Sequence, residues 1–196
     1  MDMLNLNPKG ICIIMIYVFL ANGFEEIEAL APVDILRRAG KQVKTVGIGG
    51  KLITGSHGIT VQADVTESEI VLGNDLEMIV LPGGMPGTLN LEKSETVQTV
   101  IDFCAERKIY IGAICAAPSI LGHKNLLNHK EAIAYMGFEA ELAGAVISER
   151  SVVQSDYIIT AQGAGVAVPF GLKLAEVLTG AEKALKIKAS ICYPEH

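Results

Sequence analysis

Short apolar runs rich in β-branched residues recur along the chain, with more polar stretches between them. Such continuous runs are typical of strands buried on both faces of a parallel sheet, whereas strands with one solvated face alternate apolar and polar positions. The five runs are 11–20 (ICIIMIYVFL), 42–48 (QVKTVGI), 77–81 (EMIVL), 109–114 (IYIGAI) and 157–161 (YIITA). We predict a buried strand at each of them, and a further short strand at 131–134 (EAIA).

The stretches between these runs carry patterns typical of helices. Helices are predicted at about 25–39, 94–107, 117–122, 165–179 and 181–188. Because strands and helices alternate from end to end, we predict an α/β fold with a doubly wound, mostly parallel sheet and helices on both faces, as in flavodoxin-like proteins. The Gly-rich region 50–63 interrupts this alternation and predicts a small antiparallel excursion.

Composition narrows the classes of protein that fit this pattern. The chain has 196 residues, half of them apolar, which favours one globular domain with a sizeable core and excludes a disordered chain. The net charge is −6 and no basic patch stands out, so we expect no nucleic acid partner. The N-terminal apolar run spans about ten residues, which is too short to cross a bilayer, and it lacks a signal-peptide pattern, so we expect no membrane partner.

The four cysteines are Cys12, Cys104, Cys115 and Cys192. They form no C-x-x-C pair, and no histidine stands beside them at metal-ligand spacing. This argues against a disulfide framework and against a zinc site, and it favours a reducing, cytoplasmic compartment. We therefore predict that the protein uses no metal.

Three predicted strand ends carry unusual chemistry, at the edge where open α/β sheets bind ligands. The segments are ANGFEEIE after the first strand, LPGGMPG after the third and AICAAP after the fourth. In AICAAP, Cys115 stands between the small residues Ala113 and Ala117, and a helix follows directly. This spacing fits a nucleophile elbow, where a helix N-terminus favours the thiolate. The alternative is an inert, buried cysteine.

The glycine loop LPGGMPG offers backbone groups to a nucleophile at Cys115. Gly83 and Gly84 allow a close backbone approach or a positive φ. The N–H groups of Gly84 and Ala116 would then form an oxyanion hole. A plain turn is the alternative, and a P-loop is excluded because no G-K-[ST] follows.

The first predicted helix begins with several acidic residues. Glu25 and Glu26 are explained by pairing with the helix dipole on a solvated face. Glu28 differs, because Pro32 cannot donate a hydrogen bond to the Glu28 carbonyl, so the helix should kink or loosen there. A carboxyl group buried at this position would have a raised pKa and would donate a hydrogen bond to a thiolate.

Taken in order, these segments resemble the ThiJ/PfpI superfamily, most closely bacterial-type members of the branch that contains the Parkinson-disease-linked protein deglycase. The resemblance is carried by VFLANGFEEIEALAPVDILRRAG, LPGG and AICAAPSILG. It implies a class I glutamine amidotransferase-like fold in one domain at 15–196, preceded by an N-terminal extension at 1–14.

The resemblance also implies roles for individual residues. Cys115 corresponds to the reactive cysteine, Glu28 to its protonated partner, and Gly83, Gly84 and Ala116 to the backbone groups around an oxyanion. Tyr135 stands where the eukaryotic relatives have a histidine near the cysteine, so Tyr135 is a third catalytic candidate. The RRAG segment and His57 resemble parts that meet across the family's dimer interface, which implies a homodimer with His57 on the dimer side of the pocket.

The activity that the resemblance implies is glyoxalase III- or deglycase-type hydration of a small aldehyde, methylglyoxal or glyoxal, without a cofactor. The alternative is a redox-sensing or chaperone-like stress protein in which Cys115 is oxidised to sulfinate. A cysteine peptidase or amidase is less favoured, because PfpI-type peptidases carry a histidine directly after the cysteine and this chain has Ala116 there. His123 and His129 lie in a polar stretch and are interpreted as surface histidines.

Overall fold

A seven-stranded sheet forms the centre of the computed structural model, which describes residues 14–194. The strands are β1 (Met15–Leu20), β2 (Gln42–Gly47), β3 (Leu52–Thr54), β4 (Thr60–Gln62), β5 (Val65–Thr66), β6 (Leu76–Leu81), β7 (Tyr110–Ile114), β8 (Glu131–Ala132), β9 (Val146–Ile147), β10 (Val152–Ser155) and β11 (Ile158–Ala161). The order in the central sheet is β10-β11-β7-β6-β1-β2-β5, and only its β10–β11 pair is antiparallel. The predicted mostly parallel sheet is confirmed.

Helices cover both faces of this sheet, as the alternating pattern predicted. They are α1 (Glu26–Arg38), α2 (Gly87–Lys93), α3 (Glu95–Arg107), α4 (Pro118–His123), α5 (Ala167–Thr179) and α6 (Ala181–Ser190), with short 3₁₀ turns at Glu67–Glu69, Glu139–Glu141 and Ala164–Val166. Helices α1, α5 and α6 pack on one face, and α2, α3 and α4 pack on the other. Between residues 14 and 194, no helix has the length and apolar character needed to cross a bilayer.

The side chains of β1 show why the apolar runs are continuous. Tyr17 and Phe19 point into the core beneath α3 and α4, whereas Ile16, Val18 and Leu20 point into the core beneath α1 and α5. All five are at most 4% exposed. Both faces of the strand are covered by helices, so no position favours a polar residue.

The structure departs from the predicted elements mainly at the edges of the sheet. The strand predicted at 131–134 is reduced to β8, which pairs with β9 outside the central sheet. The prediction missed the seven-residue helix α2 and the edge strands β5 and β10, which have two and four residues, because such short elements carry too little pattern to be recognised. The antiparallel excursion predicted at 50–63 is confirmed as the β3–β4 hairpin.

The N-terminal predictions fall largely on residues outside the described part of the chain. The first strand was predicted from residue 11 and begins at Met15, with Ile14 before it in no regular element. Residues 1–13, which include most of the predicted extension and Cys12, lie outside the described residues. The division into an extension at 1–14 and a single domain at 15–196 therefore stays a prediction.

Candidate active site

The three segments singled out in the sequence meet at one edge of the sheet. Strands β1, β6 and β7 are neighbours and run parallel, so their carboxyl ends lie side by side. The loop after β1 leads into α1, whose first turn carries Glu28. The loop after β6 carries Gly83 and Gly84, and the turn after β7 carries Cys115. This is the edge at which open α/β sheets bind ligands.

Cys115 occupies the turn between β7 and α4 with a left-handed backbone. Its φ is 65°, a region that costs a residue other than glycine about 1–3 kcal/mol. The Cys115 N–H donates to the Ala161 carbonyl at 2.9 Å, which fixes the turn to the end of β11. Ala113 and Ala117 on either side are fully buried, so the core around the turn has no space for larger side chains. The thiol itself is half-buried.

Glu28 lies in the first turn of α1 and is 1% exposed. Its Oε2 atom accepts a hydrogen bond from the Gly83 N–H at 3.0 Å, and its carboxyl group also hydrogen-bonds the Cys115 side chain. The helix continues through Pro32, and the kink or loosening predicted there stays a prediction. Glu25 restrains the position of Glu28, because its Oε2 accepts from the Glu28 N–H at 2.7 Å and caps the helix.

Burial, together with the nearby negative charge of Glu25, raises the pKa of Glu28 to about 7, although hydrogen bonds involving Cys115, Gly83 and Ala164 oppose this increase. A buried carboxyl group with a raised pKa is what the sequence predicted for this position. Glu28 therefore keeps a proton over much of the range below neutral pH.

The Cys115 thiol also holds its proton firmly when Glu28 is ionised. Burial, followed by the charge and hydrogen bond of Glu28, raises the pKa of Cys115 to about 12, and the N–H groups of Gly84 and Ala116 partly offset this. These N–H groups favour the thiolate, as the sequence predicted, but burial and the ionised Glu28 outweigh them. The ionised Glu28 carboxylate repels a thiolate, which disfavours ionisation of Cys115. Protonated Glu28 has the opposite effect, because its O–H can donate a hydrogen bond to the sulfur. The pair titrates as a unit, and the thiolate is favoured only beside protonated Glu28.

Gly83 permits the contact between these two side chains. A Cβ atom at Gly83 would lie 2.6 Å from the Cys115 Cβ and 2.7 Å from the Glu28 Oε2, both too close for any real side chain. Gly84 follows with φ 90°, a conformation that favours glycine. The N–H groups of Gly84 and Ala116 both face the Cys115 sulfur. The sequence therefore selected the right backbone groups, and their part in catalysis stays a prediction.

Tyr135 reaches the site through its backbone. Its N–H donates to the Cys115 carbonyl at 2.7 Å. Its ring lies against Gly163, where an added Cβ would be 3.3 Å from the ring atom Cδ2, and it is 48% exposed. The structure thus brings Tyr135 next to Cys115, and its proposed catalytic role stays a prediction.

His57 lies away from the cysteine, in the turn of the β3–β4 hairpin. Its Nδ1 is 3.0 Å from Glu26 Oε2, and its N–H donates to Glu26 Oε1 at 2.9 Å. Glu25, Glu26 and His57 together offer ligand-type atoms within 4.8 Å of one another. The oxygens of Glu26 already accept from His57 and Ile59, and Glu25 caps the helix. We therefore explain the group as the link between hairpin and α1, and the prediction of no metal stays a prediction.

Sequence reasoning missed residues whose partners are distant in the chain. The Ala164 N–H, in the segment after β11, is directed at the Glu28 carboxyl group. His123, interpreted as a plain surface histidine, has its Nδ1 2.5 Å from Glu92 Oε1 and its Nε2 2.8 Å from Glu141 Oε2. No local sequence pattern indicates either interaction, because the partners are 18 or more positions away in the chain.

Comparisons with known proteins find relatives over most of the chain. The DJ-1/PfpI family matches residues 15–177. Protein dj-1beta of Drosophila melanogaster is 31% identical over 173 residues, which cover 87% of this chain and 92% of that protein. The Caenorhabditis elegans protein named Glutathione-independent glyoxalase DJR-1.2 is 30% identical, with 86% and 90% covered. The structure of Toxoplasma gondii DJ-1, oxidized, has a TM-score of 0.85 at 33% identity and covers 93% of this chain and 100% of its own.

Proposed function

Because this chain belongs to the DJ-1/PfpI family, we propose that it is a cysteine-dependent enzyme that hydrates α-oxoaldehydes, methylglyoxal or glyoxal, without a cofactor. One observation carries the proposal. The Cys115 sulfur is faced by two backbone N–H groups and by a buried carboxyl group, Glu28, with a pKa of about 7. The relative that is named a glutathione-independent glyoxalase adds support. Membership of the bacterial-type branch stays a prediction.

The first step is attack on the aldehyde. The Cys115 sulfur forms a bond to the aldehyde carbon while the carbonyl π-bond breaks, and the oxygen becomes negatively charged. This oxyanion accepts hydrogen bonds from the N–H groups of Gly84 and Ala116. Protonated Glu28 then gives its proton to the oxygen, which produces a hemithioacetal and leaves a carboxylate. The step needs a thiolate beside a carboxylic acid, and the raised pKa of Glu28 favours that pairing.

The second step moves hydrogen between the two carbons of the substrate. The Glu28 carboxylate removes the proton on the sulfur-bearing carbon and returns it to the neighbouring ketone carbon, while the hydroxyl proton passes to the ketone oxygen. The sulfur-bearing carbon becomes a thioester. Water then attacks the thioester, the carbon–sulfur bond breaks, and Cys115 leaves as a thiolate. In sum, one water adds to methylglyoxal to give lactate, with no net oxidation or reduction.

Tyr135 is proposed to act in this reaction from the open side of the site. Its ring is half-exposed against Gly163, and its backbone N–H donates to the Cys115 carbonyl, so we propose that the ring covers a bound aldehyde. A tyrosine is a weak base at neutral pH, so we assign the main proton transfers to Glu28 and expect Tyr135 to orient the substrate.

A second candidate function is peroxide sensing, and the oxidized form recorded for the Toxoplasma gondii relative favours it. The thiolate of Cys115 would attack hydrogen peroxide, with water as the other product, to give a sulfenate. A second peroxide would give the sulfinate. Glu28, while protonated, would donate a hydrogen bond to the oxidised sulfur group. A chaperone-like role in stress would follow from the same switch.

We also propose that the protein is a homodimer in the cytoplasm. Large apolar side chains are exposed on α1 and on the β3–β4 hairpin; they are Ile27, Leu30, Leu52 and Ile59. The two elements are joined by the contacts of Glu26 with His57, and we propose that these side chains contribute to one dimer surface. A second copy covering this surface would place His57 at the dimer interface.

The test is the formation of lactate from methylglyoxal in the absence of glutathione. We expect lactate from the wild type and from Cys192→Ser, a control that removes an exposed cysteine. Cys115→Ser should form none, because a hydroxyl is a far weaker nucleophile than a thiolate. Activity in Cys115→Ser would refute the assignment. If the wild type is inactive and gains the mass of two oxygens on Cys115 in mild peroxide, the sensing function replaces the enzymatic one.

A further inference from the structure

The site is assembled from three chain segments that meet on one side of Cys115. The glycine loop continues into α2, the cysteine turn continues into α4, and the segment after Tyr135 runs across α4 as far as the turn Glu139–Glu141. The N–H of Tyr135 holds the start of this segment to the Cys115 carbonyl. The contacts that fix the remainder of the segment therefore add to this hydrogen bond in positioning Tyr135.

His123, the last residue of α4, joins all three segments. Its Nδ1 is 2.5 Å from Glu92 Oε1 on α2, and its Nε2 is 2.8 Å from Glu141 Oε2. A carboxylate can only accept a hydrogen bond, so each ring nitrogen must carry a hydrogen. With both carboxylates ionised, this geometry fits the doubly protonated, positively charged imidazolium.

Other contacts hold one side of this segment: Leu142 is buried in the core, Phe138 packs against that core, and a Cβ at Gly122 would lie 2.0 Å from the Glu141 carbonyl oxygen. Towards α2 the segment is less well packed, because a cavity of about 330 Å³ lies between α2, α4 and the segment 137–141. Open space provides no packing to hold α2 and the segment at a fixed distance. The ion pairs of His123 span the rim of this cavity.

We propose that the His123 imidazolium is a positioning residue, which holds the Tyr135 segment against the cysteine turn and releases it when the ring loses a proton. A neutral ring has one N–H, so one of the two carboxylates would face a lone pair instead of a donor. The inference rests on the proposed function only for its catalytic readout. It assigns to the site a dependence on pH that is separate from the titration of Glu28.

The charged groups around the ring set the direction of this dependence. Glu92 and Glu141 face it and raise the pKa of His123 above its ordinary value of 6.5. The neighbouring Lys124 ammonium is directed to Asp102 on α3 at 2.8 Å, and the Glu139 carboxylate accepts from the Gly137 N–H. In the folded protein, the His123 ring is therefore still charged at pH values where it would be neutral in the unfolded chain. Its contribution to stability is complete below the ordinary pKa of histidine and is lost as the pH rises through the raised pKa of the folded protein.

Amide hydrogen exchange tests the inference without any catalysis. In the wild type, we expect the amides of 136–142 to lose protection as the pH rises through the titration of the His123 ring, followed by NMR in the same sample. In His123→Gln, the same amides should exchange about tenfold faster than in the wild type at low pH and equally fast at high pH. His129→Gln, at an exposed position, is the matched control and should follow the wild type.

Turnover gives a second readout. The ratio of wild-type to His123→Gln turnover should be about tenfold at low pH, where only the wild type holds the Tyr135 segment in place. The ratio should approach one at high pH, where the wild type has released the segment as well. The ratio cancels the titration of Glu28, which both proteins share. A ratio that does not change with pH would overturn the inference.

The outcomes separate the two proposals. If no aldehyde is converted but protection of 136–142 follows the His123 titration, the proposed function fails and the positioning role stands. If lactate forms but protection does not follow that titration, the positioning role is refuted and the function stands. Should His123→Gln fail to fold, the wild-type comparison of ring titration and exchange still decides the question.

Discussion

Replacing Glu28 by glutamine should make the protein more stable at neutral pH and remove its activity. Glutamine has the same shape as a protonated glutamate, keeps an oxygen for the Gly83 N–H and offers an N–H to the Cys115 sulfur. It cannot ionise, so it avoids the cost of a buried charge, and it cannot move a proton between substrate carbons. Stability and activity should therefore change in opposite directions.

The magnitude follows from the pKa of Glu28. Burial raises it from 4.5 to about 7 in the folded protein, where the side chain is 1% exposed. Below pH 4.5 the group is protonated in both the folded and the unfolded chain. Between the two values the folded protein holds more protons, so the free energy of unfolding falls as the pH rises, by about 3 kcal/mol in total. Above about pH 7 no further loss is expected from this group.

Urea unfolding at a series of pH values between 4 and 8 measures this effect. Wild type, Glu28→Gln and the control Glu149→Gln, which removes one exposed carboxylate, should be compared at equal protein concentration because association also contributes to stability. The free energy of unfolding of Glu28→Gln should equal that of the wild type near pH 4 and exceed it by about 3 kcal/mol at pH 8. Glu149→Gln should follow the wild type throughout.

Turnover of methylglyoxal completes the test. Removing a proton-transfer group typically costs about 10²- to 10⁴-fold in rate, so Glu28→Gln should lose at least that much. Equal pH dependence of stability in Glu28→Gln and the wild type would show that Glu28 is not the buried, titrating group. Full activity in this variant would refute its catalytic role.

The other predictions concern the glycine loop, the hairpin contact and the dimer. Gly83→Ala should lower the free energy of unfolding by about 1–3 kcal/mol and reduce activity, because the new Cβ would lie 2.6 Å from the Cys115 Cβ; unchanged thermal stability would contradict this. Burial acts to raise the pKa of Glu26, but hydrogen bonds from His57 outweigh it and the pKa is lowered. The wild type should therefore lose stability as the pH falls below about 4.5, and Glu26→Gln should lack this loss in an acid titration. Ile27→Asp should convert the dimer to a monomer in light scattering, because it places a charge on the exposed apolar surface of α1; a monomeric wild type would disprove the dimer.

The sequence determined the central part of the fold because its signals are local. A strand covered on both faces is apolar at every position, and β1, β6 and β7 could therefore be placed without knowing their partners. The same holds for the small residues around Cys115, since the tight turn restricts its immediate neighbours. The order of parallel strands then placed three segments of unusual chemistry at one edge.

Tertiary structure decided what depends on groups far apart in the chain. The pKa of Glu28 follows from its burial and from Gly83, a partner 55 positions away, and no periodicity encodes that contact. The protonation of Cys115 likewise depends on burial and on Glu28, which outweigh the local backbone effect. The sequence showed His123 only as a polar residue among polar residues, since its carboxylate partners come from other segments. Local patterns specify which residues lie at the site. The protonation of these residues depends on burial and on nearby charges, which come from all the segments that the fold brings around them.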